Sequence, residues 1–235
     1  MTRGSITVSA AAELGSIGGM LLAEDLLLLV TDDATGRLSV PGEPADAGLG
    51  GANLAELALR GQVDVSGDQD PGRRGRIIVR DPSPPGDEVL DAALQTLVKR
   101  QGRKPSAVIR PLGKKLRRVL YQRLAARGVL RAERRRVLGI FTARSWPAAD
   151  PSRKAGVRQQ VTQALAGTAA PDERTAALIA LLHALKCEHK VVDPRSCQLS
   201  RRQLRKRPRR SPRATGRPGP CARRSMRRSL RGSRS

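Results

Sequence analysis

Apolar and polar positions divide the chain into short, well-punctuated segments. Residues 20–30 open the ordered part with a run broken only by Glu24 and Asp25. Such a run fits a buried helix, or a helix passing into a strand, and periodicity does not separate the two. Asp32-Asp33-Ala34-Thr35-Gly36 reads as a turn, residues 37–40 as a returning strand and residues 41–51 as a loop. Leu54, Leu57 and Ala58 recur at helical spacing between Gly51 and Gly61, predicting a short amphipathic helix. Residues 76–79 are strand-like and stop at Pro82. Asp87 is placed to cap a helix whose stripe is Val89, Leu90, Ala93, Leu94, Leu97 and Val98. Leu112, Leu116, Leu120 and Leu124 then repeat every four residues, predicting one helix over 112–127 that stops at Gly128.

The second half continues the alternation. Residues 129–141 form two short apolar stretches around a charged one, the pattern of a β-hairpin or wing. Asp150-Pro151 starts a helix with Val157, Val161 and Leu165 on one face and Gly167 as its stop. Pro171-Asp172 starts another, apolar nearly all round over residues 178–182, which predicts a place at the centre of a bundle. The fold class is therefore mainly α, a single helical domain around a central bundle with small β-hairpins. Its expected bounds are 20–207, after a loose Gly/Ser/Ala-rich leader over 1–19 and before an Arg-rich tail over 208–235.

Composition narrows the function. With 39% apolar residues, the chain can build a core, which rules out global disorder. One Trp, one Tyr and one Phe cannot furnish a base-stacking platform. The apolar run over residues 26–30 is far short of a bilayer span, and Glu24 and Asp25 interrupt the Leu-rich region where a secretory signal would lie. Cys187, Cys197 and Cys221 are an odd, sparse set that suits a reducing compartment. The expectation is a cytoplasmic protein. Charge is uneven: residues 195–235 hold 16 basic side chains and no acidic one, while residues 1–194 hold 29 basic and 21 acidic, a net +8. A basic surface of this kind selects anionic partners such as lipid head groups or nucleic acid.

Catalytic signatures are missing: the sequence has no phosphate-binding Gly-x-x-x-x-Gly-Lys-Ser/Thr loop, no His-Glu-x-x-His and no Gly-x-Ser-x-Gly. Gly48-Leu49-Gly50-Gly51 lacks a preceding strand and reads as a plain loop rather than an anion cradle. His183, Cys187, His189 and Cys197 fit no common zinc spacing, and Cys187 reads as a small core hydrophobe. No cofactor and no enzyme activity are expected.

Five stretches in order resemble the Golgi phosphoprotein 3 family, in its actinobacterial branch. They are Leu26-Leu27-Leu28-Leu29 before the Asp32–Gly36 turn, Glu56-Leu57-Ala58-Leu59-Arg60-Gly61, Pro84-Pro85-Gly86-Asp87-Glu88-Val89-Leu90-Asp91, Arg127-Gly128-Val129-Leu130, and Arg174-Thr175-Ala176-Ala177-Leu178-Ile179-Ala180-Leu181-Leu182-His183-Ala184. The resemblance implies a helical domain that associates peripherally with the cytoplasmic face of a membrane and binds phosphatidylinositol 4-phosphate or another anionic phospholipid. The family's paired basic ligands fall on Lys114 and Arg117, expected to share one helix face. Its other two ligands, a Trp and an Arg, fall on Pro41 and Gly50, which supply neither an aromatic wall nor a cation. The family's apolar hairpin, used for membrane contact and self-association into a homo-oligomer, matches Val137, Leu138, Ile140, Phe141 and Trp146. Buried packing of the same hairpin is an equal alternative.

The resemblance also bears on the tail. Residues 208–217, back-translated and read one base out of frame, restore an Ala-Lys-Glu-Ile-Ala-Glu-Gly-Asp-Trp-Ala helix like that of bacterial relatives. The expectation is a frame shift near Arg207, a lost terminal helix, and a disordered tail with an accidental charge. Two other readings stay open. One is a winged-helix-like nucleic-acid binder, built from the 112–127 helix, the hairpin and Arg134-Arg135-Arg136. The other is a scaffold whose hairpin binds protein.

Overall fold

The computed structural model describes residues 19–70, 72–137 and 141–192, with side chains left aside from 134 to 143. Among the described residues, eight helices and two two-stranded antiparallel sheets follow the order α1 (Leu22–Leu29), α2 (Gly42–Leu59), β1 (Val63–Val65), β2 (Ile77–Val79), α3 (Glu88–Val98), α4 (Pro105–Gly113), α5 (Leu116–Ala126), β3 (Glu133–Val137), β4 (Phe141–Ser145), α6 (Ser152–Ala166), α7 (Glu173–Ala184) and α8 (Glu188–Val191). The mainly α class is as the sequence predicts. Position in the bundle differs: α1 is the helix buried on every side, whereas α7 buries one stripe through Thr175, Leu178 and Leu182.

Complete burial of α1 takes Glu24 and Asp25 into the core with it, both fully inaccessible. Ion pairs from four surrounding arginines offset their desolvation. Arg123 and Arg127 each lie 3.2 Å from Glu24, and Arg153 and Arg174 reach Asp25 at 2.7 and 3.0 Å. Arg174 also pairs with buried Glu56 on α2 at 3.1 Å and donates to the Met20 carbonyl oxygen. The charges that interrupt the apolar run thus tie α1 to α2, α5, α6 and α7.

Three expectations need correction. Residues 41–51 are not a loop, because α2 begins at Gly42. Pro44 lies in its first turn, where a missing N–H costs nothing, and the glycines are packing positions rather than turn positions. A Cβ on Gly50 would come within 2.1 Å of the Ile109 carbonyl oxygen, and one on Gly113 within 1.9 Å of the Asp46 carbonyl oxygen. The glycines therefore let the α2 and α4 backbones touch. Residues 37–40 form no strand; a single bridge, Thr31 to Leu38, closes the preceding turn. The helix expected over 112–127 is two helices: α4 ends at Gly113, and α5 starts at Leu116.

Other local signals hold. The Asp87 carboxylate accepts from the Val89 and Leu90 amides at the start of α3. Gly128 and Gly167 adopt the left-handed conformation just beyond α5 and α6. The segment 76–79 pairs as β2 with β1, in the register Val63 to Val79.

Candidate functional site

The break between α4 and α5 makes a basic corner. Lys114 ends α4 in extended conformation, and Lys115 takes a left-handed φ of 64°, turning the chain before Leu116. Lys114 and Arg117 consequently do not share a helix face: Lys114 closes one helix and Arg117 lies in the first turn of the next. The four-residue Leu repeat conceals the break because Leu112 and Leu116 are both buried on either side of it. Lys114, Lys115 and Arg118 are exposed, with no ion-pair partner among the described residues. Arg117 is about one-third exposed, at 34%, and pairs with Asp46 of α2 at 3.3 Å. Its guanidinium lies over Gly42, where a Cβ would be 2.9 Å from Nη1. Gly42, at the start of α2, thus flanks Arg117, while the backbone of α4 occupies the space beside Gly50.

A cleft of about 520 Å³ adjoins this corner. Gly36, Arg37 and Leu38 line it from the turn after α1, Arg117, Arg118 and Tyr121 from α5, and Arg144 and Trp146 from the end of β4. Tyr121 and Trp146 stack in parallel, with ring centroids 5.1 Å apart and planes inclined by 1°. The buried Tyr121 hydroxyl is 2.9 Å from Thr31 Oγ1, and burial pushes its phenol pKa up, so the ring stays neutral at physiological pH.

Backbone contacts fix the wall of this cleft. The Trp146 N–H donates to the Gly36 carbonyl at 3.2 Å, and the Ala148 N–H to the Asp33 carbonyl at 3.0 Å. Gly36 has a φ of +64°, and a Cβ there would lie 2.2 Å from the Trp146 nitrogen. Behind the turn, buried Lys154 pairs with Asp33 at 2.7 Å and donates to the Thr31 carbonyl. Desolvation lowers the Lys154 pKa against the pull of Asp33. Arg37, Arg118 and Arg144, from three separate segments, therefore meet on one rim. No local pattern marks them in the sequence, because only tertiary contact gathers them.

The hairpin is formed by β3 and β4, in the register Glu133 to Ser145 and Val137 to Phe141. Leu138 and Ile140 lie outside the described residues, as does the side-chain placement of Val137 and Phe141. Trp146, just after β4, is partly buried and packs against the core. Of the His183 and Cys187 set, His183 pairs with Glu188, Cys187 is buried with its thiol pushed up to about 11 by desolvation, and Cys197 is outside the described residues. No group of three His, Cys, Asp or Glu side chains among the described residues could hold a metal. No described helix is long and apolar enough to cross a membrane.

This architecture defines a class: a helical domain whose buried acidic network faces inward, with unpaired cations gathered at one corner and an adjoining cleft. The sequence model of the Golgi phosphoprotein 3 family matches residues 22–230, and the chain belongs to that family. It is also similar to vacuolar protein sorting-associated protein 74 of Eremothecium gossypii, at 32% identity over 167 residues that cover 62% of this chain and 49% of the relative. The chain thus spans about half the length of that curated relative.

Proposed function

We propose that this protein is a non-enzymatic, peripheral membrane-binding module that docks on anionic phospholipid head groups at the cytoplasmic face of a membrane. The α4–α5 corner carries the reading: Lys114, Lys115 and Arg118 are exposed with no carboxylate partner among the described residues, beside Arg117, which has one. Each cation near an anionic surface contributes about 1 kcal/mol, so such a corner supplies useful membrane affinity without deep insertion. Family membership points to phosphatidylinositol 4-phosphate as the first lipid to test. The name of the fungal relative, a vacuolar protein sorting factor, supports a role in holding or sorting other proteins at a membrane.

Co-sedimentation of the full chain with vesicles tests this. Vesicles containing phosphatidylinositol 4-phosphate are compared with vesicles of equal charge containing phosphatidylserine, for the wild type and for Lys114→Ala/Arg117→Ala. Preferential binding to the phosphoinositide, lost in the double variant, supports the reading. Absence of binding to both vesicles, or displacement by duplex DNA at equal charge concentration, overturns it in favour of a scaffold or a nucleic-acid binder.

A further inference from the structure

We infer that the groove between the β1–β2 hairpin and the α3–α4 connection is a docking site for an acidic segment of a partner protein, whose Asp and Glu carboxylates pair with Arg73, Arg76 and Arg103. This surface lies away from the α4–α5 corner and stands independently of the lipid reading.

Backbone bonding builds the groove. Ser66 Oγ ties the turn beyond β1, accepting from the Arg76 amide at 2.9 Å and donating to the Arg73 carbonyl at 2.8 Å. On the other flank, the Ile77 N–H donates to the Arg103 carbonyl and the Gly102 N–H to the Ile77 carbonyl, both at 2.9 Å. Gly102 has a φ of 77°, which turns the α3–α4 connection back onto β2. These bonds bring Arg73, Arg76 and Arg103 to one groove of about 420 Å³.

None of the three guanidinium groups has a carboxylate partner among the described residues, although acidic side chains lie close by in sequence. Asp68 is held by Arg74 at 2.7 Å, and Asp64 and Asp70 by Arg80 at 3.2 and 2.6 Å. Residues 92–132 contain no acidic side chain, and Lys99, Arg100 and Lys104 add exposed cations along the connection. Gathering like charges costs free energy that a bound anion recovers. Arg76 gives the sharpest signal. Its side chain is only partly exposed, and its Nε is closed off from solvent without a hydrogen-bond partner among the described residues. A buried donor left unpaired is costly. Turning this guanidinium toward a ligand breaks no bond and relieves that cost.

The recessed position of Arg76 decides the class of partner. A bilayer presents its charge on a plane and does not follow a guanidinium into a groove, whereas a carboxylate on a flexible segment does. The planar, two-oxygen carboxylate also matches the Nε–Nη edge of an arginine. No aromatic ring stands among the lining residues, so a nucleobase has nothing to stack on. Ile78, partly exposed in the same groove, gives an aliphatic side chain between two carboxylates an apolar contact. The α4 helix separates this surface from the basic corner. It begins just after Arg103 and runs nine residues to Gly113, about 14 Å. That exceeds the screening length of about 8 Å at physiological salt, so a membrane and a partner can be held at once.

The full chain is titrated into a fluorescein-labelled peptide of repeated Asp-Glu-Val-Ser, with an Asn-Gln-Val-Ser peptide as the uncharged comparison. Binding is followed by fluorescence anisotropy at fixed ionic strength. Arg73→Ala/Arg103→Ala removes two exposed groove cations, and Lys114→Ala/Arg117→Ala removes the same charge at the α4–α5 corner. Weakening of at least about tenfold in the groove variant, and of less than about threefold in the corner variant, is expected. Arg76→Met keeps most of the side-chain length without the guanidinium. It should weaken peptide binding similarly while leaving the thermal midpoint unchanged or higher, because the Nε it removes satisfies no bond in the free protein. No binding by the wild type, equal binding of the uncharged peptide, or equal weakening in the groove and corner variants overturns the site. So does a lower thermal midpoint in Arg76→Met with peptide binding intact, which would make Arg76 a structural group only.

The same proteins are then sedimented with phosphatidylserine and phosphatidylinositol 4-phosphate vesicles. Vesicle binding retained by the groove variant, alongside its loss of the peptide, supports a protein-docking surface separate from the membrane-facing one. Vesicle binding lost together with peptide binding makes the groove part of the membrane face and overturns the partner assignment, as does displacement of the peptide by duplex DNA at equal charge concentration. Groove-dependent peptide binding without any vesicle binding by the wild type supports the groove and overturns the lipid reading alone.

Discussion

Gly50 of α2 and Ile109 of α4 are in backbone contact: a Cβ on Gly50 would lie 2.1 Å from the Ile109 carbonyl oxygen and 2.7 Å from the Gly113 nitrogen. A side chain at position 50 therefore has no room unless α4 moves, and this is where the family places a cation. Alanine normally gains about 1 kcal/mol over glycine inside a helix. Here overpacking against rigid backbone reverses the sign, and Gly50→Ala is expected to destabilise by about 2 kcal/mol or more. Gly156→Ala, in α6 with nothing within 4 Å of its Cβ, is the internal comparison and should stabilise by about 0.5–1 kcal/mol. Thermal unfolding followed by circular dichroism distinguishes them. Equal shifts of the same sign would refute the close approach of α2 and α4.

Arg174 bridges two buried carboxylates on different helices, Asp25 at 3.0 Å and Glu56 at 3.1 Å. Removing it leaves both short of a counter-charge, although Arg153 still holds Asp25 and Arg60 still lies 3.4 Å from Glu56. Arg174→Met keeps much of the side-chain volume and is expected to cost on the order of 3 kcal/mol, seen as a lower urea midpoint at pH 7. Asp25→Asn in the same background should recover part of that loss, because the stranded charge is gone. A loss that the second substitution leaves unchanged would mean that Arg174 acts through packing alone.

Acid sensitivity should have one identifiable source at the start of α3. Burial works against the Asp87 carboxylate, but Arg123, at 2.8 Å, and the Val89 and Leu90 amides outweigh it and hold its pKa below the usual value. A carboxyl group depressed in the folded state contributes stability above its unfolded pKa and loses it as pH falls through the folded one, so the loss falls below about pH 4. Asp87→Asn retains a capping oxygen while deleting the charge. It should cost about 1–2 kcal/mol at pH 7 and progressively less toward pH 2. Urea unfolding at pH 7, 4 and 2.5 measures this, and a cost that does not shrink with acid would exclude the ion pair as its origin.

Legibility of the sequence follows the range of the interaction. Asp87, Gly128 and Gly167 act on neighbours within a few residues, so the start of α3 and the ends of α5 and α6 could be read from local pattern. Gly48, Gly50 and Gly51 look like a loop because glycine's two uses, turning and close packing, are identical in one dimension. Only the neighbours in the fold decide between them: the α4 backbone against Gly50, and Leu185 and Leu181 at the end of α7 against Gly48 and Gly51. Lys115 hides the α4–α5 break in the same way, since a left-handed lysine carries no sequence mark and the buried leucines continue across it. At the site, Lys114 and Arg117 could be singled out by resemblance. Arg37, Arg118 and Arg144 could not, because three distant segments bring them together.

Asp46 should act as a brake on membrane binding. Its carboxylate, about one-third exposed and 3.3 Å from Arg117, occupies the one cation of the cleft that has a carboxylate partner among the described residues. The Asp46 carbonyl, which meets Gly113, belongs to the backbone and survives substitution. Asp46→Asn therefore removes an exposed ion pair worth at most about 1 kcal/mol and a negative charge that an anionic surface repels by a similar amount. Binding to phosphatidylinositol 4-phosphate vesicles should tighten by roughly three- to tenfold at low salt. Added salt should narrow the difference, because both effects are screened beyond about 10 Å at 0.1 M. Co-sedimentation across a salt series, with Arg117→Ala and the Asp46→Asn/Arg117→Ala pair, separates two routes. If the gain disappears in the Arg117→Ala background, Asp46 works by holding Arg117 back from the lipid. If the full gain persists there, Asp46 merely adds negative charge to the surface, and Arg117 is not the group it restrains.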